Sequence, residues 1–240
     1  MNNKINPLYR NGNHYDKQHE MLLNDITFYI EQAKRFGEPI LELGCGTGRI
    51  TIPIALQNLE IIGIDNSSNM LSKALEKSNK ENLKIEFYEK DIRNFELDKK
   101  FNLIIFPFNT IAHLHKLEDL ERFFKCVRKH LNDNGKFILD YFNPDLKLLT
   151  SQENKYSLVS EYIEPESNKK VVVRETSKYD ALEQIRYCKW HYEIEEEKFS
   201  HILDVRIFYP QELEMLLKYN GFQIDEKYGN FDKSKFESSS

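Results

Sequence analysis

Between residues 39 and 143 the hydrophobic positions alternate between two periods. Short, nearly continuous apolar segments predict five strands, at residues 39–44, 59–65, 84–90, 101–106 and 136–141. Helical spacing of apolar residues predicts helices at 14–36, 49–57, 67–80 and 117–131. Strands that alternate with helices indicate right-handed βαβ units and a parallel sheet covered on both faces.

From residue 144 to residue 209 the apolar positions follow a period of two. Trp190 and Tyr192 fall on one face of such a strand, and His191 falls on the other. The alternation predicts three or four antiparallel strands. A helix at 210–219 follows, and residues 222–228 are expected to return to the main sheet as a sixth strand.

Together these elements predict an α/β fold: a doubly wound, mostly parallel sheet with an antiparallel β lid inserted after the fifth strand. The α/β domain would comprise residues 1–143 and 210–240, and the lid residues 144–209. Residues 230–240 are polar and offer no seventh strand. We therefore expect a disordered or loosely packed end and a partly exposed sheet edge.

Composition narrows the possible partners. The 240 residues are 40% hydrophobic and 30% charged, and their net charge is −5. Because the chain is acidic and has no basic stripe, we expect no nucleic-acid partner. Its three cysteines lie far apart, without metal-ligand spacing. No apolar run reaches the roughly 18 residues of a membrane span, and the polar start lacks a signal-peptide core. We expect a cytoplasmic protein that binds neither metal nor membrane.

A glycine-rich loop follows the first predicted strand, at residues 42–48 (Glu-Leu-Gly-Cys-Gly-Thr-Gly). Glycines there allow a tight turn and the close approach of a ligand to the backbone. A phosphate-binding loop would end in Gly-Lys-Ser/Thr, but Gly48 is followed by Arg49 and Ile50. The dinucleotide fingerprint would require a third glycine at position 49. The pattern that remains is E-x-G-x-G-x-G.

Three further motifs follow the next strands in order. Asp65 ends the second strand, 21 residues after Gly44 (65 − 44). Asp91 and Ile92 follow the third strand, and the segment Phe-Pro-Phe-Asn at 106–109 follows the fourth. This series resembles the class I S-adenosylmethionine-dependent methyltransferases, and the chain is similar to their small-molecule members such as the sugar-amine N-methyltransferases. The resemblance covers residues 14–143.

The resemblance implies a site for S-adenosylmethionine and its product S-adenosylhomocysteine. Asp65 would bind the ribose, Asp91 would meet the adenine amino group, and residues 106–109 would pass beneath the methionine part and the methyl group. The cofactor-binding residues it implies are Tyr15, Glu42, Gly44, Cys45, Gly46, Gly48, Asp65, Asn66, Met70, Asp91, Ile92, Phe106 and Phe108.

Methyl transfer from a sulfonium needs alignment and exclusion of water, and a base only where the acceptor loses a proton. The candidates for that base are Tyr15, His113, His115, Asp140 and His191. His113 is the first choice because it follows the fourth strand, although a polar residue at a helix start would also fit. Tyr15 resembles a tyrosine that closes over the cofactor, or is an ordinary residue of an amphipathic helix.

The lid would supply part of the acceptor site, since similar enzymes carry an antiparallel insertion above the acceptor. The substrate-binding candidates are Asn109, Tyr141, Arg174, Trp190, His191 and Arg206. Alternating aromatic residues in strands also serve packing alone. We expect methyl transfer to N or O of a small molecule, by a monomer or homodimer. The alternatives are a protein or RNA methyltransferase and a non-catalytic S-adenosylmethionine-binding module.

Overall fold

A parallel five-stranded sheet forms the centre of the computed structural model, which describes residues 12–20, 22–150, 153, 155–164 and 167–237. Its strand order is β3-β2-β1-β4-β5. The strands are β1 (Ile40–Leu43), β2 (Ile61–Asp65), β3 (Glu86–Glu89), β4 (Phe101–Phe106) and β5 (Leu131–Leu139). Because the order reverses between β1 and β4, the sheet is doubly wound, and the predicted α/β fold is confirmed.

The described residues form the helices α1 (Gly12–Gln18), α2 (Asn24–Phe36), α3 (Thr51–Ala55), α4 (Ser68–Lys80), α5 (Leu117–His130), α6 (Leu146–Leu149) and α7 (Pro210–Tyr219). Helices pack on both faces of the parallel sheet. Alternate residues of a strand point to opposite faces. Ile104 and Phe106 therefore pack in one apolar cluster with α5, whereas Leu103 and Ile105 pack in a second cluster with α2 and α3.

Two predicted helices have other bounds in the structure. The single helix expected at 14–36 is two helices, because the chain turns between Gln18 and Asn24. Arg49 donates to the Leu22 carbonyl in this turn, at 3.1 Å. The helix expected at 49–57 spans only Thr51–Ala55, which puts Pro53 in its first turn. Proline is tolerated there because the first backbone N–H groups of a helix have no intrahelical partner.

A separate antiparallel sheet follows β5 and confirms the predicted β insertion. It contains five strands rather than the three or four expected. They are β6 (Ser157–Ile163), β7 (Lys170–Asp180), β8 (Ile185–Ile194), β9 (Glu197–Ile202) and β10 (Val205–Arg206). Val173 and Tyr192 are paired on a buried face of this lid sheet, whereas the neighbouring pair of Arg174 and His191 lies on the opposite face.

The C-terminal segment differs from its prediction. Residues 222–228 form no strand, and in the described part of the chain β5 has no partner beyond β4. Side chains hold the segment instead, since Asp225 pairs with Lys136 of β5 and Phe222 packs against Phe137. The end also packs more firmly than expected, because the Phe231 ring lies 5.7 Å from that of Phe28 in α2. Residues 238–240 lie outside the described part.

No helix in the described residues is long and apolar enough to cross a membrane. The same residues contain no group of three or more His, Cys, Asp or Glu side chains placed to hold a metal ion.

Candidate functional site

The strand order reverses between β1 and β4, and we call the space at the carboxyl ends of these two strands the crevice. The loops that follow these strands turn to opposite faces of the sheet, and ligands of doubly wound folds bind at such a point. Gly44 begins the first loop with a φ of +66°, and a Cβ on it would lie 2.8 Å from Thr110 Cγ2 in the second loop. Position 44 therefore favours glycine for two reasons, the positive φ angle and the close approach of Thr110.

Asp65 holds the glycine loop from the neighbouring strand. One carboxylate oxygen accepts from the Gly46 N–H at 2.8 Å, and the other accepts from the Ser67 N–H at 2.8 Å. Each oxygen can accept more than one hydrogen bond, so the carboxylate keeps free acceptor capacity. Desolvation raises the pKa of Asp65. Met70 is buried beside Gly46, and Asn66 is exposed.

Glu42 lies beneath the loop, at the end of β1, where it is 2% exposed. Its carboxyl group accepts a hydrogen bond from the Thr51 hydroxyl. Burial raises the pKa of Glu42 to about 8, and the nearby charge of Asp65 adds to that rise while Arg49 opposes it. Close to neutral pH this side chain therefore exists partly as the uncharged acid.

Arg49 is a residue that sequence reasoning missed. Its guanidinium makes two hydrogen bonds to the Asp25 carboxylate, at 2.8 and 2.5 Å, and stacks 4.7 Å above the centre of the Phe108 ring. It thereby connects α2, the glycine loop and the turn after β4. The signal was present in the sequence, because an arginine directly follows the third glycine.

Helix α1 covers the glycine loop. Asp16 accepts hydrogen bonds from the Thr47 hydroxyl and, at 2.8 Å, from Lys77 of α4. On the other side of α1, the His14 ring lies 2.8 Å from the Tyr162 hydroxyl, and the Tyr192 hydroxyl donates to Gln18 at 3.3 Å. The helix is therefore held between the parallel sheet's glycine loop and the buried face of the lid sheet.

Desolvation by the surrounding protein is the main cause of the shifted pKa of four candidate side chains, Tyr15, Asp65, His113 and Asp140. Tyr15, Asp65 and Asp140 are half-buried, whereas His113 is exposed. The pKa of His113 falls to about 4, with a smaller contribution from the charge of His115. Its ring is therefore uncharged at neutral pH and able to accept a proton.

Asp140 follows β5 and is already engaged by the protein. It accepts hydrogen bonds from the N–H groups of Phe108 (2.8 Å) and Asn109 (2.9 Å) and from the Tyr29 hydroxyl (2.7 Å). These contacts make it a poor candidate for the base, because three donors already stabilise its carboxylate.

With this geometry established, residues 34–204 match the family model described as a methyltransferase domain, over well more than half of the chain. The chain belongs to this family. Its resemblance to the class I S-adenosylmethionine-dependent methyltransferases, inferred from the motif series, is thereby confirmed.

Similar proteins support the assignment. YqeM of Bacillus subtilis (strain 168), which its name places among the methyltransferases, is 26% identical over 85% of this chain and 81% of its own length. The ubiquinone biosynthesis O-methyltransferase of Rickettsia typhi is 30% identical over 52% of this chain and 48% of its own length. The chain thus spans about half of that relative, and of several other curated relatives that it matches.

Solved structures share the fold. An S-adenosylmethionine-dependent methyltransferase from Clostridium acetobutylicum ATCC 824 has a TM-score of 0.77, with 22% identity over 94% of this chain and 92% of its own. The CcbJ methyltransferase from Streptomyces caelestis scores 0.79, with 24% identity over 90% and 92%. The sugar N-methyltransferase KedS8 from Streptoalloteichus sp. ATCC 53650 scores 0.68, with 16% identity over 84% and 78%.

Within this methyltransferase fold, the remaining cofactor candidates have different surroundings. Cys45 is buried, and burial raises the pKa of its thiol. Phe106 is buried at the end of β4, with its ring 4.6 Å from that of Phe123. The Asp91 carboxylate is paired with Arg93 at 2.6 Å, which lowers the pKa of Asp91. A contact between Asp91 and adenine would have to share that carboxylate with Arg93.

The structure does not bring all predicted acceptor-binding residues of the methyltransferase to the cleft. Arg174 and His191 lie on the face of the lid sheet opposite to Tyr192, and so away from α1. Arg206 is 7% exposed and is held by the His115 carbonyl at 3.0 Å and by Glu212 at 2.7 Å. These contacts assign it to packing between the lid sheet and α7. Sequence periodicity identified the alternating faces but not which of them faces the cleft.

The other acceptor candidates lie closer to the cleft or to α1. Asn109 belongs to the turn after β4, and its side-chain oxygen accepts from the Phe142 N–H at 3.2 Å. Tyr141 follows Asp140 and packs partly buried against the apolar core. Trp190 is on the α1-facing side of the lid sheet, but its ring N–H donates to Glu175 at 2.8 Å.

Proposed function

We propose that this chain transfers a methyl group from S-adenosylmethionine to a nitrogen or oxygen atom of a small molecule. The observation that carries the proposal is that the glycine loop and the turn after β4 meet where the strand order reverses. Asp65 orders the glycine loop through the Gly46 N–H, and His113 ends the short 3₁₀ helix Thr110–His113 that follows β4. The crevice thus combines a place for the donor with an uncharged proton acceptor.

The residues of the crevice fit the donor. Gly46 has a φ of +54°, and nothing lies within 3.4 Å of the position of a Cβ, so a ligand can approach its backbone. In our proposal, Asp65 holds the ribose hydroxyls with its remaining acceptor capacity. Asn66 and Met70 line the adenine side, and the turn that contains Phe108 lies beside the methionine part. S-adenosylmethionine supplies a methyl group already activated on a positively charged sulfur.

The chain's own residues then have to orient the acceptor and take its proton. We assign the proton to His113 because it ends the 3₁₀ helix that follows β4, next to the turn of Phe108 and Asn109, and its ring is uncharged at neutral pH. Helix α1, which carries Tyr15, covers the glycine loop through the contact of Asp16 with Thr47. Asn109 and Tyr141, at the ends of β4 and β5, are placed to contact the acceptor.

A small acceptor suits this arrangement, since α1 contacts the glycine loop through Asp16 and the lid sheet through Gln18. We propose residues 144–209 as the lid unit on an α/β domain of residues 1–143 and 210–240. The names of two similar proteins describe a sugar N-methyltransferase and an O-methyltransferase. They support nitrogen and oxygen as the acceptor atoms without choosing between them.

Binding and turnover test the proposal. Calorimetry should show that the protein binds S-adenosylmethionine and S-adenosylhomocysteine but not NAD, and that Asp65→Ala weakens both. A panel of amines, amino sugars and phenols should then identify an acceptor that receives a methyl group. Absence of cofactor binding, with Asp65→Ala indistinguishable from wild type, would show the proposal to be wrong. Binding without any turnover would instead favour a non-catalytic module.

A further inference from the structure

Two consecutive non-glycine residues adopt left-handed backbone conformations directly after β4. The φ angles are +63° at Phe108 and +53° at Asn109. L-residues disfavour this region by steric contact between Cβ and the carbonyl oxygen, so the surrounding structure must stabilise it. Such strain is typical of functional sites, and this turn lies on the cleft.

The stabilising group is the Asp140 carboxylate. One of its oxygens accepts from the Phe108 N–H at 2.8 Å, and the other accepts from the Asn109 N–H at 2.9 Å. Tyr29 is fully buried in α2 and donates its hydroxyl to the carboxylate at 2.7 Å. Each carboxylate oxygen thus accepts a hydrogen bond from one of the two left-handed residues, and the Tyr29 hydroxyl fixes the carboxylate from α2.

The turn determines where the following residues lie. Asn109 is the N-cap of the 3₁₀ helix Thr110–His113, and its carbonyl accepts from the Ala112 N–H at 2.9 Å. Thr110 contacts the glycine loop, where a Cβ on Gly44 would lie 2.8 Å from its methyl group. A change in the backbone at Asn109 would therefore move His113 and alter the contact between the two loops.

We propose that Asp140, held by Tyr29, is a positioning residue that sets the alignment of His113 and the glycine loop for methyl transfer. This inference rests on the proposed function and deepens it. Asp140 acts through the backbone of the turn and not as the base, since its carboxylate already serves three donors. The acceptor would then meet His113 in one orientation relative to the methyl donor.

Asp140→Asn is the sharpest test, because asparagine has the shape of aspartate but only one acceptor oxygen. In either amide orientation, one of the two backbone N–H groups faces an NH₂ group instead of an acceptor. We expect amide exchange at Phe108 and Asn109, followed by NMR, to accelerate at least about tenfold. We also expect kcat to fall about tenfold or more, because misplacement by about 1 Å can cost on the order of 100-fold in rate. KM for the acceptor should change less than kcat.

Asp145→Asn is the matched control. Asp145 also accepts from two backbone N–H groups, those of Lys147 (2.9 Å) and Leu148 (3.2 Å), but on one and the same oxygen and at the exposed start of α6. The side-chain oxygen of asparagine can accept both bonds, so neither amide exchange at Phe108 and Asn109 nor kcat should change. Unchanged exchange at Phe108 and Asn109 in Asp140→Asn, or faster exchange with unchanged kcat, would overturn the proposal.

Tyr29→Phe keeps the test decisive if Asp140→Asn does not fold. It removes one hydrogen bond and leaves both backbone contacts, so exchange at the two amides and kcat should change in the same directions but only a few-fold. No change in either would overturn the proposal. The exchange measurement needs no acceptor, and therefore remains informative if the proposed methyl transfer itself proves wrong.

Discussion

Arg49 and Asp25 form a two-point ion pair that connects the glycine loop to α2. The side chains are 13% and 5% exposed, and the guanidinium also stacks on Phe108. An ion pair that is this buried and makes two hydrogen bonds differs from an ordinary surface ion pair, because removal of one partner leaves the other as an uncompensated buried charge. The pair therefore links stability to the geometry of the cofactor loop.

We predict that Asp25→Asn destabilises the protein by about 3 kcal/mol, the cost typical of an unpaired buried charge. Arg49→Lys should cost less but should still weaken S-adenosylmethionine binding, because lysine can neither bind two oxygens in plane nor stack on the ring. Urea unfolding and calorimetry measure the two effects. Arg35→Lys is the control, since its two-point pair with Glu226 is exposed to solvent and should contribute little to stability. Equal losses in Arg35→Lys and Arg49→Lys would contradict the prediction.

A second prediction separates backbone strain from contact at the glycine loop. Gly44 and Gly37 both have positive φ angles, +66° and +75°, but only at Gly44 would a Cβ meet another residue. Gly37→Ala should cost about 1–3 kcal/mol for the backbone alone, because its φ of +75° and ψ of 171° lie in a region that is essentially restricted to glycine. Gly44→Ala should cost about 1–3 kcal/mol more for the contact with Thr110, and it should abolish cofactor binding. Thermal unfolding with and without S-adenosylmethionine checks both. Equal destabilisation by the two variants would argue against contact between the loops.

The features of the fold and the candidate site that could be predicted from sequence are those determined by residues close together in the chain. Glycines followed by a strand-end acid predicted the site, and the helix predicted at 67–80 is found as α4, whose N-cap Ser67 accepts from the Met70 N–H at 3.4 Å. Periodicity could not show that residues 222–228 form no strand, because their contacts with β5, such as Phe222 with Phe137, join side chains far apart in the sequence. Nor could it place Asp140, whose partner Tyr29 is 111 residues away.

A third prediction concerns pH and stability through Glu42. Its pKa rises from 4.5, the ordinary value of a glutamate in water, to about 8 in the folded chain because of burial. Between these values the folded state holds more protons than the unfolded state, so the contribution of Glu42 is fully present below pH 4.5 and is lost as the pH rises to about 8. The loss approaches about 1.4 kcal/mol for each pH unit within this window. Glu42→Gln should flatten the curve of unfolding free energy against pH between 5 and 8.

The control for this measurement is Glu81→Gln, because Glu81 is exposed after the end of α4. Its curve should run parallel to that of the wild type. Asp65 and Asp140 also have raised pKa values and should leave some pH dependence in Glu42→Gln. Parallel curves for Glu42→Gln and the wild type would show that Glu42 remains ionised when the protein folds.

The last prediction tests His113 as the proton acceptor through the pH profile of turnover. Desolvation lowers its pKa to about 4, so the ring is already deprotonated at pH 6 and gains a proton only well below that. With an acceptor that must lose a proton, kcat/KM should therefore show no inflection from His113 between pH 6 and 8, and should fall toward pH 4.

His113→Gln removes the proton acceptor and should lower kcat by roughly 100-fold or more. Because the substitution leaves the glycine loop and Asp65 intact, calorimetry should find S-adenosylmethionine affinity within about twofold of the wild type. An inflection near pH 6.5 that disappears in His113→Gln would place the histidine in water rather than in a desolvated cleft, and full activity of the variant would assign the proton to another group.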